Sequence, residues 1–148
     1  MKLKQVKTII ELEQALHLRE LVFVHEQHCP LEQEFDQYDH LDASCIHILA
    51  VSETDQPIGT GRIRFVDGKA KLERICILES IRKSGVGHSI VTYLEKIARA
   101  QEIKHFYLHG QQQAIPFYQK LGYQPDSDLF MEDNIPHVLM RKEEDLIS

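Results

Sequence analysis

The stretch that decides the fold is ESIRKSGVGHSI, residues 79–90. Two cations, Arg82 and Lys83, stand directly before a Gly-x-Gly pair, although the whole chain has a formal net charge of −6. An apolar segment, LERICIL (72–78), precedes the stretch, and apolar residues recur at helical spacing over 85–101. Backbone N–H groups at the start of a helix, unblocked by side chains and flanked by cations, bind phosphate well. The pattern therefore predicts a strand, a phosphate-binding turn and a helix.

The turn by itself does not identify its ligand. A Rossmann fingerprint would have a third glycine where this chain has Ile90, and a P-loop would need a Gly-x4-Gly-Lys-Ser/Thr string, which the sequence lacks. Glycines at this place are equally compatible with an ordinary strand-to-helix turn that needs backbone freedom.

The composition is that of one globular domain spanning residues 1–148, with 43% hydrophobic and 27% charged residues. The apolar runs are too short to span a bilayer, and the N-terminus has no apolar core of a secretion signal, so a cytoplasmic location is expected. A pI near 5.8 disfavours nucleic acid or an anionic membrane as a partner. The cysteines, Cys29, Cys45 and Cys76, show no CxxC spacing and are expected to be reduced thiols.

Hydrophobic periodicity and turn signals predict a mixed α/β chain with antiparallel hairpins and at least one crossover. The predicted elements, in order, are a helix over 11–25, a loop or short helix over 26–44, strands over 45–52, 58–66 and 70–78, a helix over 85–101, a strand over 105–110, a helix over 114–121, and short strands near 128–131 and 137–141.

This order of strand, RxxGxG, helix, strand and FYxKLGY resembles the GNAT superfamily of acetyl-coenzyme A-dependent N-acetyltransferases. Residues 82–87 correspond to its pyrophosphate loop and residues 115–123 to its C-terminal helix motif. Further segments are similar to the small bacterial acetyltransferases of the ElaA/YjcF type, namely LRELVFVHEQHCP (18–30), EFDQYD (34–39), HILA (47–50), GTGRIR (59–64), HGQQQAIPFY (109–118) and NIPHVLM (134–140). The resemblance implies a mostly antiparallel sheet of six to seven strands, flanked by about four helices, with splayed central strands.

The resemblance also implies where acetyl-CoA would bind. The pantetheine arm would insert between the strand at 70–78 and the strand at 105–110, and a backbone N–H near Cys76–Ile77 would polarise the acetyl carbonyl. The N–H groups from Ser84 to His88 would bind the pyrophosphate, and the two cations before them would add positive charge. The residues expected to bind the cofactor are Ile75, Cys76, Ile77, Arg82, Lys83, Ser84, Gly85, Val86, Gly87, His88 and Phe117.

Three residues are candidates for proton transfer. Tyr118 matches the family's acid, which would protonate the leaving thiolate, although aromatic residues at helical spacing also fit simple packing. A phenol with a pKa of about 10 transfers a proton uphill to a thiolate whose acid has a pKa of about 8.5. Glu73 is the first candidate base for the amine and Glu26 the second, directly or through water. A strand carboxylate such as Glu73 could instead form a salt bridge with Arg62 or Arg64.

The acceptor side of the site is less defined by the sequence. His47, His109, Gln111 and His137 match positions of the resembled subfamily and are expected to line the acceptor pocket, while half-buried structural histidines are the simpler explanation. The acidic residues Glu32, Glu34, Asp36, Asp39 and Asp42 predict either a solvated face or a negative rim that attracts a cationic amine. His25-x-x-His28-Cys29 carries metal-ligand residue types, but no second pair accompanies it, so no metal is expected.

The leading hypothesis is an enzyme that transfers acetyl from acetyl-CoA to a primary amine of a small molecule or peptide, with a homodimer as the ordinary assembly. An acyl-homoserine-lactone-synthase-like activity is the second, because Arg19, Val22-Phe23, Asp36 and Asp39 echo the N-terminal pattern of that family. A non-catalytic acetyl-CoA-binding sensor is the third. Nothing in the sequence identifies the acceptor.

Overall fold

A computed structural model describes residues 1–144 as one sheet flanked by helices. The strands are β1 (Lys2–Gln5), β2 (Ile46–Val51), β3 (Pro57–Val66), β4 (Lys69–Ile77), β5 (His105–Gln111), β6 (Gln124–Pro125), β7 (Phe130–Glu132) and β8 (Ile135–Glu143). The helices are α1 (Ile9–Arg19), α2 (Leu31–Glu34), α3 (Val86–Arg99) and α4 (Ile115–Lys120), and a π-helical segment (Glu20–Glu26) continues α1. The strand order is β1-β2-β3-β4-β5-β8-β6, with β7 paired to β8.

The predicted fold class is confirmed, with one difference in the sheet. Eight strands are present rather than six or seven, because the short strands β1 and β6 extend its two ends. Both are edge strands held mainly by backbone pairing, to β2 and β8 respectively, so neither needs an apolar pattern that sequence reading could detect. Among residues 1–144, no helix is long and apolar enough to cross a lipid bilayer.

The first helix begins earlier than its apolar pattern indicates. Thr8 caps it, since its hydroxyl accepts a hydrogen bond from the Glu11 N–H, and the Glu11 carboxylate accepts one from the Thr8 N–H. This capping box satisfies backbone donors at the helix start. The regular helix ends at Arg19, and the π-helical turns that follow carry the predicted helix to Glu26.

Helix α3 packs on one face of the central strands, and α1 packs on the other. The close approach of α3 depends on Gly59 of β3, where a Cβ, if one were present, would lie 2.9 Å from Ile90 Cδ1. That separation is shorter than van der Waals contact, so a larger residue would push the helix away from the sheet.

The strands β4 and β5 form the one parallel pair among the described strands, and they separate soon after they meet. Their pairing covers only Ala70 to Leu72 on β4, and the last pair is Leu72 with Leu108. On its other edge β4 is irregular, because its register with β3 shifts by one residue and Arg74 has φ of +55°. A bulge of this kind bends a strand and increases its twist. The carboxyl ends of β4 and β5 therefore diverge, as the resemblance predicts.

A cluster of charges lies buried between α1, the 31–39 segment and β3; we call Arg19, Arg62, Glu34, Asp36 and Asp39 the buried ion cluster. The side chains of both arginines are no more than 2% exposed. Arg19 donates to Glu34 over 2.9 Å and to Asp39 over 2.6 Å. Arg62 donates to Asp39 over 2.9 Å and to Asp36 over 2.7 Å. These ion pairs tie the 31–39 segment to α1 and β3.

This arrangement corrects the prediction for the acidic residues. Glu34, Asp36 and Asp39 are neither a solvated face nor a negative rim, because each is paired with buried arginine. Only Glu32 and Asp42 of the five are exposed. The sequence could not show this, since the compensating cations lie far away along the chain.

The buried ion cluster yields a prediction about stability. Arg19→Met should remove the buried cation that Glu34 and Asp39 share, leaving them only Arg74 and Arg62 respectively, and lower the free energy of unfolding by about 3–5 kcal/mol. Urea denaturation followed by circular dichroism measures this change. Arg141→Met is the matched control, because Arg141 also pairs with two carboxylates, Asp126 and Glu143, but at the exposed surface. Equal urea midpoints for the two variants would contradict a supporting role for the cluster.

Candidate active site

The divergence of β4 and β5 opens a cleft of about 620 Å³. The cleft runs from the turn before α3, past the free edge of β4, to the β7–β8 hairpin. Most of the residues that the sequence singles out line it: Glu73, Ile75, Cys76, Ile77, Arg82, Lys83, Gly85, Gly87, His88, His109, Gln111, Phe117, Tyr118 and His137. One cleft thus joins the predicted phosphate turn to the predicted acceptor residues.

The turn before α3 presents free backbone donors. Gly85 has φ of +89° and immediately precedes the helix, and no side chain caps this end. The first backbone bond of the helix runs from the Ser89 N–H to the Gly85 carbonyl over 3.1 Å. The N–H groups of Val86, Gly87 and His88 therefore have no partner within the helix. A Cβ on Gly85 would meet no atom within 4 Å, so the space above the turn is open.

Gly87 serves a different purpose from Gly85. A Cβ at Gly87 would lie 2.9 Å from Ile77 Cδ1 and 3.1 Å from Phe117 Cζ. The absence of a side chain lets the start of α3 pack directly against the end of β4 and against α4. The first glycine thus provides backbone freedom and open space, and the second provides a close packing distance.

Arg82 is engaged by protein groups rather than directed at the open turn. Its guanidinium forms a bidentate ion pair with Glu26, over 2.5 and 2.6 Å, and its Nε donates to the Ile77 carbonyl over 3.0 Å. The hydrogen bond from Arg82 lowers the pKa of Glu26. Arg82 therefore ties the π-helical segment to the end of β4, and the same pairing makes Glu26 a weaker base.

The free edge of β4 faces the cleft with its own backbone groups. Leu78 donates its N–H to Ile58 across the β3–β4 ladder, over 3.0 Å, whereas the carbonyl of Ile77 points the other way, to Arg82. The N–H and C=O of one strand residue point towards the same edge of the strand, and the groups of the next residue point towards the opposite edge. The Ile77 N–H therefore faces the cleft, whereas the backbone N–H and C=O of Cys76, which pairs with Thr60, face β3.

Tyr118 reaches the cleft from α4. Its ring packs edge-on against Phe117 and Tyr123, with centroid distances of 5.0 and 6.0 Å. Among residues 1–144, no side-chain or backbone group forms a hydrogen bond with its hydroxyl. Burial raises the pKa of the phenol above its ordinary value of about 10, so the hydroxyl keeps its proton at neutral pH.

Glu73 is surrounded by cations. Its carboxylate accepts hydrogen bonds from Arg62 over 3.0 Å and from Arg64 over 2.9 Å, and Lys71 lies 2.9 Å away. Burial alone would raise the pKa of Glu73, but the hydrogen bonds from Arg64 and Lys71 and the charge of Arg62 lower it to about 2. A carboxylate of this pKa has little tendency to accept a proton from an ammonium group.

The far end of the cleft holds two histidines and a carboxylate. His109 Nδ1 lies 2.9 Å from Glu132 Oε1, and His137 Nε2 lies 3.7 Å from Glu132 Oε2. Sequence reasoning missed Glu132 and its neighbour Asp133, which also line the cleft. The sequence signal for them was the pair Asp133-Asn134, because these residue types favour tight hairpin turns. In the structure both residues have positive φ, +52° and +64°, as such a turn requires.

The structure removes His47 from the predicted site and adds Gln27 to it. His47 was expected to line the acceptor pocket, but it lies outside the cleft lining. Its side chain is buried, and its Nε2 forms a hydrogen bond with the Tyr38 carbonyl over 2.9 Å. Gln111 Nε2 donates to Gln27 Oε1 over 2.8 Å, which joins β5 to the end of the π-helical segment. Sequence reasoning missed Gln27, since an amide in a polar segment carries no distinctive pattern.

The cleft also contains cysteines. Cys29 and Cys76 line it as free thiols. Burial raises the pKa of Cys76 to about 12, so this thiol is neutral at physiological pH and unsuited to act as a nucleophile. Among residues 1–144, no group of three or more His, Cys, Asp or Glu side chains is placed to hold a metal ion.

Sequence comparison places this architecture among known proteins. The family described as "Acetyltransferase (GNAT) domain" matches residues 9–144. YyaT of Bacillus subtilis (strain 168) is 52% identical over 143 residues, which cover 97% of this chain and 96% of YyaT. YjcF of the same strain, named as an uncharacterized N-acetyltransferase, is 43% identical over 97% of this chain and 100% of its own.

Solved structures share the fold. The crystal structure of Escherichia coli ElaA has a TM-score of 0.84 and 27% identity, covering 96% of this chain and 99% of that one. An aminoglycoside 6′-N-acetyltransferase complexed with coenzyme A shares the fold with a TM-score of 0.73 at 18% identity, over 97% of each chain. With the family match over nearly the whole chain, these findings make the assignment plain: the protein is an enzyme of the GNAT family of N-acetyltransferases.

Proposed function

We propose that this enzyme transfers the acetyl group of acetyl-CoA directly to a primary amine of a small molecule or peptide. The observation that carries the proposal is that the open helix start, the free edge of β4 and the Tyr118 hydroxyl all border one cleft. These are the three parts that an anchored acetyl thioester needs: a diphosphate site, a backbone edge for its arm and a proton donor. A relative of the same fold holds coenzyme A.

The donor would lie along the cleft as follows. Its pyrophosphate would accept hydrogen bonds from the N–H groups of Val86, Gly87 and His88, assisted by the helix dipole and the charge of Lys83. Its pantetheine amides would pair with the free edge of β4 as an added strand does. The Ile77 N–H, which faces the cleft, is the backbone donor placed to bind this arm or the thioester oxygen.

The chemistry then needs no covalent intermediate on the enzyme. The amine, after losing one proton, uses its lone pair to form a bond with the thioester carbon, and the carbonyl π electrons move to oxygen. Collapse of this intermediate breaks the C–S bond, and the sulfur leaves with the electron pair and takes the Tyr118 proton. The attacking nitrogen loses its second proton, which returns through water to the Tyr118 phenolate. The sum is an amide, free coenzyme A and one proton released.

The acceptor assay tests the proposal as a whole. Purified protein with acetyl-CoA should release free thiol faster when spermidine, glucosamine, kanamycin or a lysine-containing peptide is added. Mass spectrometry should show the acetylated amine. Calorimetry with acetyl-CoA alone separates the outcomes, because binding without turnover of any amine would support a sensor and refute the proposed acetyl transfer to an amine. Formation of a lactone from an acyl donor would instead support the synthase-like activity.

A substitution in the turn tests the diphosphate site. Gly85→Glu should weaken acetyl-CoA binding at least tenfold, because its carboxylate would enter the space above the free N–H groups. Gly68→Glu is the matched control, since Gly68 also has positive φ (+77°) and open space around it but lies in the β3–β4 turn. Both variants carry the same backbone strain and added charge, so equal affinities by calorimetry would refute the assignment of the turn.

Removal of one hydroxyl tests the proton donor. Tyr118→Phe should lower kcat about a hundredfold, within the range typical of general acids, while the acetyl-CoA dissociation constant stays within twofold. Steady-state kinetics with the best amine of the panel measures this effect. Tyr93→Phe, which removes a phenol from α3 away from the cleft, should retain full activity. A fully active Tyr118→Phe enzyme would exclude Tyr118 as the acid.

A further inference from the structure

The imidazole of His109 is held in a defined tautomer. A hydrogen bond from His109 lowers the pKa of Glu132, so its carboxylate is ionised and can only accept hydrogen bonds. The ring nitrogen that faces this carboxylate over 2.9 Å, Nδ1, must therefore carry a hydrogen. In the neutral ring the other nitrogen, Nε2, then has a free lone pair.

The position of His109 places this lone pair at the cleft. His109 is the first residue of β5 beyond the last pair with β4, Leu72 with Leu108. Its side chain is 29% exposed and lines the cleft. It lies where the strands begin to part, at the level of Glu73.

Aromatic packing fixes the ring orientation. Phe130 of β7 packs edge-on against His109, with a centroid distance of 5.1 Å and an interplanar angle of 80°. Phe130 also stacks with His137, with a centroid distance of 6.1 Å. The His109 ring is thus oriented by a carboxylate and by a packed aromatic ring, both from the β7–β8 hairpin.

The other candidate bases are less suited to take a proton, and Glu26 lies outside the cleft lining. Glu26 is paired with Arg82, and Glu73 is bound by three cations. The side chain of His137 is only 7% exposed, and its Nδ1 donates to the Ile135 carbonyl over 2.7 Å. His109 combines a partly exposed ring with a carboxylate partner and no cation pair among the described contacts.

We propose that His109 is the general base that takes the proton from the acceptor amine, and that Glu132 is the residue that positions it. This inference rests on the proposed acetyl transfer. The acceptor enters as an ammonium, and one N–H bond breaks as its proton passes to His109 Nε2. The products of this step are a neutral amine and an imidazolium, whose charge the Glu132 carboxylate stabilises. The imidazolium then returns the proton to water at the open side of the cleft.

The charged groups around the ring are consistent with this role. Glu132 faces it from β7, and His137 comes from β8, the strand paired with β5. Asp133 of the hairpin turn and Glu73 of β4 line the same cleft. Lys71 and Arg74 of β4 also line the cleft, but Lys71 is paired with Glu73 and Arg74 with Glu34. Glu132 and Asp133 are therefore the carboxylates that favour an approaching ammonium and the imidazolium formed from it.

The test compares variants with the best amine of the panel as acceptor. His109→Gln should lower kcat/KM by about 10²–10⁴-fold, the range typical of a general base, with acetyl-CoA affinity by calorimetry within twofold of wild type. The fall of wild-type kcat/KM at acid pH should be absent from this variant. Glu132→Gln should also lower kcat, but by a smaller factor than His109→Gln does. His105→Gln is the matched control, because His105 lies on the same strand, 3.5 Å from Glu143, outside the cleft.

Chemical rescue separates a base from a structural side chain. Imidazole added to His109→Ala should restore part of the lost activity, whereas it should not restore activity to Tyr118→Phe. If an amine is acetylated and His109→Gln matches wild type, or if His109→Ala loses activity without rescue, His109 is not the base, while the proposed acetyl transfer stands. If acetyl-CoA binds and no amine is acetylated, the proposed function fails, and the role of His109 fails with it.

Discussion

The parting of β4 and β5 is the constraint on which the rest of this structure depends. Two parallel strands pair over three residues and then diverge after Leu72 and Leu108, helped by the bulge at Arg74. Backbone groups on the exposed edge of β4 are thereby left for a ligand, because buried N–H and C=O groups require partners. The turn before α3, the α4 helix and the β7–β8 hairpin each contribute residues to this one opening.

The buried ion cluster reaches the same opening, because Glu34 and the neighbouring Glu73 line the cleft. Arg19 and Arg62 are almost fully buried, and a buried guanidinium is stable only with hydrogen-bonded counter-ions. The carboxylates of the 31–39 segment supply them, which fixes a highly charged stretch against the sheet. Arg62 extends the network to Glu73, and this explains why a carboxylate on the central strand is a weak base. A structural requirement thus limits the residues that can move protons.

The end of the cleft proposed to bind acetyl-CoA followed from local sequence to a greater extent than the end proposed to bind the acceptor. The turn at 82–88, the end of β4 and Tyr118 are adjacent to regular elements whose types the periodicity predicts, and the structure brings them to one cleft. Other features of the site depend on pairings between distant segments. Arg82 with Glu26, and His109 with Glu132, are separated by 56 and 23 residues. No spacing rule relates such partners, so the sequence predicted neither pairing, and Glu132 was not identified.

The amino-acid sequence by itself determined the element types, the mixed α/β class and the glycine-marked turn before α3, because these follow from hydrophobic period, turn chemistry and backbone freedom within a few residues. Only the tertiary structure decided which charges are neutralised and which side chains share the cleft. The solvation and partners of an ionisable group depend on every segment that packs around it. The acidic residues at 34–39 therefore became buried counter-ions, His47 became a structural residue, and His109 acquired its carboxylate partner.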